Sequence, residues 1–244
     1  MQESKLMLVT SWDDVTELDV KLANLLDSYG LKGSFYVIGK SLGKRVSKDQ
    51  LLDMSQTHEI GAHTMTHPTL TTISDEEARR EIAGSKTFLE RTLGKQITSF
   101  AYPRGKYNKR HVMMAKEAGF FCARTIEPFY FKNTGKPYEV PVSIWTFPHK
   151  FRDLNAISRL IRSFPLVATK PLLIKNWDKL GKEIFDFLIE QGGVFHIFGH
   201  AWQIDDIDGW KRLEDLFGYV AHRKNVVYTT VTGYAENFLI IKKH

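Results

Sequence analysis

Hydrophobic and polar positions change their period repeatedly along the chain. Short runs rich in β-branched and aromatic residues read as strands: Leu6 to Ser11, Gly33 to Ile38, Glu59 to His63, Thr98 to Tyr102, Phe120 to Thr125, Val140 to Phe147, Val194 to Phe198 and Val226 to Thr229. Most are short and continuously apolar, as in strands buried on both faces of a parallel sheet. Longer amphipathic stretches lie between them and predict helices over Val15 to Tyr29, Lys48 to Thr57, Asp75 to Leu93, Lys109 to Ala118, Leu154 to Ser163, Trp177 to Gln191, Gly209 to His222 and Gly233 to Ile240. Ser74 with Glu77 forms a capping-box pattern, Asn108 can cap the next helix, and Gly30, Gly94 and Gly119 stand where helices should stop.

Strand and helix therefore alternate, which predicts a parallel sheet covered by helices, either an open doubly wound sheet or a (β/α) barrel. No Gly/Ser linker or low-complexity stretch interrupts the pattern, so one domain over residues 1 to 244 is the simplest division. In such folds chemistry gathers where strands end, because several loops converge there on one rigid face. The candidates at strand ends are Asp13 with Asp14, then His63, then Pro103 with Arg104, then His200.

Composition narrows the picture further. With 43% hydrophobic and 25% charged residues, the 244-residue chain can bury a substantial core. Its single cysteine, Cys122, excludes an intrachain disulfide, and the flanking Phe120, Phe121 and Ala123 predict a buried thiol. The amino-terminal MQESKLMLVTSWDD offers only a few apolar residues before two carboxylates, which fits neither a signal peptide nor a transmembrane segment; a cytoplasmic chain is the expectation. The net charge of +6 is spread out, with Lys242 and Lys243 the largest tail cluster, so no nucleic-acid partner is expected. The sequence specifies no oligomeric state.

Candidate chemistry lies in two segments. In HTMTH, His63 and His67 stand four residues apart, so a single turn or compact loop brings both rings to one side, a spacing suited to zinc, although two histidines so spaced are by themselves usually solvated or hydrogen bonded in the core. In SWDD, a strand runs into Asp13 and Asp14. Asp14 with Glu17 could simply cap the following helix. Two adjacent carboxylates are nonetheless costly to keep ionised without a cation. One carboxylate and two imidazoles leave open positions on a divalent ion, and the second carboxylate stays free to take a proton.

SWDD at Ser11 to Asp14, HTMTH at His63 to His67, FAYPRG at Phe100 to Gly105 and FGH at Phe198 to His200 together resemble, in order and spacing, the motifs of the polysaccharide deacetylases of carbohydrate esterase family four. The resemblance covers most of the chain and implies a single distorted, incomplete (β/α) barrel with about seven parallel strands. It implies a hydrolase that removes an N-acetyl group from a sugar or glycan with water activated by a divalent metal, zinc first, with cobalt or nickel as alternatives. Asp14, His63 and His67 become the metal ligands, Asp13 the general base and His200 the general acid, while Tyr102, Arg104 and Trp202 are candidate substrate contacts. A cytoplasmic location would suit a nucleotide-linked or lipid-linked glycan precursor.

Departures from the family pattern keep alternatives open. Where the third motif commonly carries an arginine that orients the base, this chain has Ala101; Arg104, Arg124 or no residue at all could take the role. The fourth motif has no clean counterpart near Trp145. His196 shares a strand face with His200, and His149 has a weaker claim to the site. An O-acetyl esterase, a hydrolase of non-sugar amides, and a catalytically degenerate glycan-binding member are the rival readings.

Overall fold

The computed structural model describes residues 6–148 and 154–241; His149, Lys242 and Lys243 lie outside the described residues. The strands are β1 (Leu6–Asp13), β2 (Gly33–Val37), β3 (Glu59–Ala62), β4 (Ser99–Ala101), β5 (Cys122–Arg124), β6 (Ile144–Trp145), β7 (Gly193–Gly199) and β8 (Val226–Thr229). The helices are α1 (Leu18–Ser28), α2 (Lys48–Met54), α3 (Asp75–Leu93), α4 (Lys109–Glu117), α5 (Leu154–Ser163), α6 (Trp177–Gln191), α7 (Ala201–Asp206), α8 (Trp210–Val220) and α9 (Val231–Ile241). All strand pairs are parallel, and seven of the strands follow the order β5-β4-β3-β2-β1-β7-β6. β7 pairs with β1 from Leu6 to Trp12, so the other edge of β1 is shared: β8 takes Leu6 to Val9 and β2 takes Thr10 to Asp13.

The sheet curls into a partial barrel. Its curl is visible in a contact between strands that are not neighbours: Arg124 of β5 reaches Asp13 of β1, although β4, β3 and β2 lie between them in the sheet. Residues 137 to 146 span the remaining gap. Val140 pairs with Arg124 of β5, and further on Ser143 N donates to His196 O (2.8 Å) and Thr146 N to Phe198 O (2.8 Å) of β7. This divided allegiance explains why the strand expected over Val140 to Phe147 is regular only at Ile144–Trp145. A segment that bonds first to one sheet edge and then to the other cannot keep a single ladder, and Pro141 has no N–H to offer.

Apolar burial falls in two places. The larger cluster packs helices against the outside of the sheet, with Trp12, Phe35, Phe100 and Tyr102 among its strand residues and Leu22, Leu26, Ile82, Leu89, Ile184 and Leu216 among its helical ones. A smaller one joins Val9, Tyr36, Ala101, Cys122, Val140 and Val194 to Val231, Tyr234 and Ala235 of α9, so the last helix fills one end of the barrel interior. Cys122 is buried there, as its neighbours predicted. The start of α9 is tied to the strands: Val231 N donates to Ser34 Oγ (2.9 Å) and Thr232 N to Glu59 Oε2 (3.2 Å). Among the described residues no helix is long and apolar enough to cross a membrane.

Helix boundaries follow local chemistry. α3 begins with the expected box, Glu77 N donating to Ser74 Oγ (3.3 Å) and Ser74 N to Glu77 Oε2 (3.0 Å), and it ends on Gly94 at φ 65°. Asn108 Oδ1 accepts from Arg110 N and His111 N at the start of α4. α1 begins at Leu18 rather than Val15, because Asp14 has φ 59° and leaves the helical path, while Thr16 N donates to Asp19 Oδ2 (2.8 Å) in its own capping arrangement. α7 is a helix that the hydrophobic period did not predict; with only six residues it is too short to show one.

Candidate active site

Asp13, Asp14, His63 and His200 are delivered by strand carboxyl ends and His67 by the loop after β3. β1 ends at Asp13, whose side chain turns into the barrel, and the left-handed backbone at Asp14 turns the next carboxylate onto the rim. His63 follows β3 and His67 closes the same loop, in which Thr64 and His67 also have positive φ values of 63° and 62°. That loop is held from outside: Met65 N and Thr66 N both donate to Glu81 Oε2 of α3 at 2.8 Å, and Thr66 Oγ1 donates to Glu81 Oε1 at 2.7 Å. His67 N donates to Thr64 Oγ1 (3.0 Å), closing the turn that brings the two imidazole centres to 4.7 Å.

One ligand atom from each of Asp14, His63 and His67 lies within 4.8 Å of the other two. Asp14 Oδ1 stands 3.7 Å from His63 Nε2 and 3.6 Å from His67 Nε2. It is buried, and no hydrogen-bond donor satisfies it. Such an orphan is costly unless something else meets it. His63 Nδ1 lies 2.8 Å from Ala101 O, an acceptor, so this nitrogen carries the proton and the Nε2 lone pair faces Asp14. Two imidazoles set around a buried, unmet carboxylate oxygen fit a divalent ion of borderline softness; Asp14 caps no helix, and His63, although buried, has Nε2 within 3.7 Å of Asp14 Oδ1. Burial first, then the neighbouring His63, hold the His67 imidazole below its ordinary pKa, which favours the neutral ligand form.

Asp13 sits beside this set, its Oδ2 3.6 Å from His63 Nε2. Arg124, fully buried, donates from Nη2 to Asp13 Oδ1 and lies between the rings of Tyr36 and Phe198, 5.0 Å and 4.6 Å from their centres. Burial pushes the Asp13 carboxyl up, but Arg124 first, then His63 and His200, outweigh it and hold it below its ordinary pKa. Of the three options left by Ala101, the contact is made by Arg124. Arg104 is exposed on the cleft wall beside His67.

His200 Nε2 lies 3.9 Å from Asp14 Oδ2, and its Nδ1 is 2.6 Å from Gln203 Oε1, an acceptor that assigns the proton to Nδ1. Burial lowers its pKa, against Asp13, Asp14 and the Gln203 hydrogen bond, which raise it. His196 is a different kind of residue. Its Nδ1 faces Pro141 O (2.9 Å) and its Nε2 faces Ser11 Oγ (2.8 Å), so it is a fully used core histidine; burial and then Arg124 hold its pKa down to about 3.

Trp202 stands beside His200, ring centres 5.2 Å apart, and lines a hollow with Lys44 and Arg45. Tyr102 is a correction. It is fully buried in the larger apolar cluster, stacks on Tyr107 at 4.4 Å and donates its hydroxyl to Tyr138 O (3.1 Å), so it cannot touch a ligand in the cleft. Strand alternation is the reason: Ala101 lies in the interior cluster, and the next residue must point outward. Two contributors lie outside the motifs, Glu81 and Gln203. Gln203 had a signal, since it stands three residues after His200 and one helical turn brings them together. Glu81 had none, being one of several acidic residues on α3.

Fold and site together define a (β/α) barrel protein with a His/Asp set able to hold a metal ion at the carboxyl ends of its strands. A family model described as polysaccharide deacetylase matches residues 2–123, half of the chain. The Bacillus subtilis (strain 168) protein YxkH, whose name assigns it provisionally to the polysaccharide deacetylases, is 30% identical over 127 residues, 51% of this chain and 46% of its own. A Bacillus cereus peptidoglycan-N-acetylglucosamine deacetylase is 33% identical over 103 residues, 41% of this chain and 46% of its own. The chain thus spans about half the length of these curated relatives. A crystal structure from Mycobacterium smegmatis bearing the same provisional deacetylase name superposes over 99% of this chain and 93% of that one, with a TM-score of 0.71 at 16% identity, a likeness of fold. The chain belongs to the polysaccharide deacetylase family.

Proposed function

We propose that the chain is a metal-dependent hydrolase that removes an N-acetyl group from a sugar or glycan, with Asp14, His63 and His67 holding the cation and zinc the ion best suited to that donor set. The observation that carries this reading is the unmet Asp14 Oδ1 between two imidazole nitrogens at 3.6 and 3.7 Å. A divalent ion, when bound, supplies positive charge to an amide carbonyl and acidifies water. The residues of the chain do the rest. Arg124 occupies Asp13 Oδ1, which leaves Oδ2 to take the proton of the attacking water. His200, protonated, gives its Nε2 proton to the departing amine nitrogen, while Gln203 keeps Nδ1–H engaged and the ring oriented. The bond between the carbonyl carbon and nitrogen breaks, and the products are acetate and a free amino sugar.

The test uses the full chain loaded with zinc, cobalt or nickel. Bound metal is measured by elemental analysis, and acetate release is followed from N-acetylated oligosaccharides by wild type and Asp13→Asn. Metal retention with turnover at least about a hundredfold above the variant supports the reading; equal turnover by the two, or no metal retained by folded protein, removes it.

A further inference from the structure

We propose that the cleft over Asp14 and His67 takes an acetylated sugar that also carries an anionic group, a phosphate or a carboxylate, received by Lys40, Lys44, Arg45 and Arg104. This rests on the deacetylase reading for its acetyl group and on the cleft alone for its charge. The cleft has a volume of about 600 Å³, and among the described residues Asp14 is the only carboxylate on its lining. All four cations are exposed, and none is ion-paired among the described residues. Lys44 and Arg45 also border the neighbouring hollow of about 420 Å³ that contains Trp202 and, among the described residues, a single carboxylate, Glu17, so the two cations stand between the candidate metal ligands and the aromatic ring. A sugar lying across both hollows would have its charged substituent against these two side chains.

The backbone that carries the cations is fixed to the site. Gly39 N donates to Thr64 O (3.0 Å) and Lys40 N to Met65 O (2.8 Å), which joins this loop to the one bearing His63 and His67. Lys44 N and Arg45 N both donate to Ser41 O, at 3.0 and 2.9 Å, and Val46 is buried behind them. A Cβ on Gly39 would meet Met65 Sδ at 2.6 Å, so the Met65 side chain packs directly over this turn. Arg104 faces the same cleft from the loop after β4 with φ 57°, a backbone that favours glycine and is retained here by a cation. Four like charges around one concavity focus a positive potential that a neutral glycan does not answer and an anion does. A cation held by Asp14, His63 and His67 would add to that potential.

The experiment uses the metal-loaded full chain and three probes: N-acetylglucosamine 1-phosphate, an oligosaccharide alternating N-acetylglucosamine with glucuronic acid, and neutral chitotetraose. Binding is measured by calorimetry and acetate release in parallel, at about 0.02 M and about 0.3 M salt, on either side of the range where screening sets in. At low salt one charged probe should bind at least about tenfold more tightly than chitotetraose, and the advantage should shrink at high salt. Lys44→Gln/Arg45→Gln and, separately, Lys40→Gln/Arg104→Gln should each reduce that preference, and circular dichroism checks that the variants fold. Which charged probe wins distinguishes phosphate from carboxylate. Equal affinity for charged and neutral probes overturns the proposal and leaves deacetylation standing. A preference that persists in both double variants places the anion on the metal and also overturns it. Salt-sensitive, variant-sensitive binding without acetate from any probe upholds the anionic cleft and sinks the deacetylase reading instead.

Discussion

Replacing Arg124 with methionine isolates the buried charge at the centre of the site. Arg124 is fully buried and the Asp13 side chain is 4% exposed, so water cannot take over when the guanidinium goes. Methionine keeps an unbranched stem between Tyr36 and Phe198, and the loss is then chiefly the cation. Removing one partner of a buried ion pair costs about 3–5 kcal/mol, because the other is left charged and unmet. The measurement is urea unfolding with a chelator present, so that no divalent ion substitutes for the arginine. With a slope near the upper end of about 1–3 kcal/mol/M, the midpoint should fall by about 1–1.7 M. Asp13→Asn/Arg124→Met removes both charges and should recover most of the loss. A single variant that loses less than about 1 kcal/mol, or a double variant no more stable than the single one, refutes the claim that this pair is held as ions.

Three further outcomes are expected. Asp19 is buried with Oδ1 unsatisfied, and burial above all, with Asp14 and Asp13 adding, raises its pKa from 3.8 to about 7. Its folded pKa lies above its unfolded one, so stability is fullest below about pH 4 and falls as pH rises towards 7, by about 4 kcal/mol at most; urea midpoints of chelated wild type and Asp19→Asn should diverge in the variant's favour between pH 5 and 8, and parallel curves would contradict this. Glu81→Gln weakens the support of the loop between the two histidines and should lower metal affinity about 10–100-fold in a competitive chelator titration, whereas unchanged affinity would show that the loop stands without it. Gly193 has φ 122°, and an added Cβ would lie 2.2 Å from Phe131 O, so Gly193→Ala should cost at least about 2 kcal/mol in thermal or urea unfolding.

Much of this architecture was legible because it is local. The helices at Asp75–Leu93, Leu154–Ser163 and Trp177–Gln191 coincide with their amphipathic periods, and β8 with its apolar run. Strand ends marked by Asp13, His63 and His200 could be read as sites because parallel sheets collect chemistry there. What was not legible depends on curvature. Arg124 meets Asp13 across 111 positions only because the sheet closes on itself, and nothing in the residues around either one states how far it curls. The division of residues 137 to 146 between β5 and β7 has the same origin. Tyr102 departs from expectation for a simpler reason. A strand end fixes a residue's place but not its direction, and alternation from Ala101 assigns the Tyr102 ring to the outer layer.

The reach of Arg124 across the barrel has a consequence for how such a chain changes over time. Every side chain that would grip the cation occurs by position 67, whereas the support of the neighbouring carboxylate arrives at 124 and the third imidazole at 200. The candidate grip and the base Asp13 are thus written early in the polypeptide, and the arginine that supports the base and the imidazole of His200 are written late. On the proposed reading, a substitution at Arg124 or His200 would lower turnover while leaving Asp14, His63 and His67 in place, so catalysis and metal retention would be lost separately.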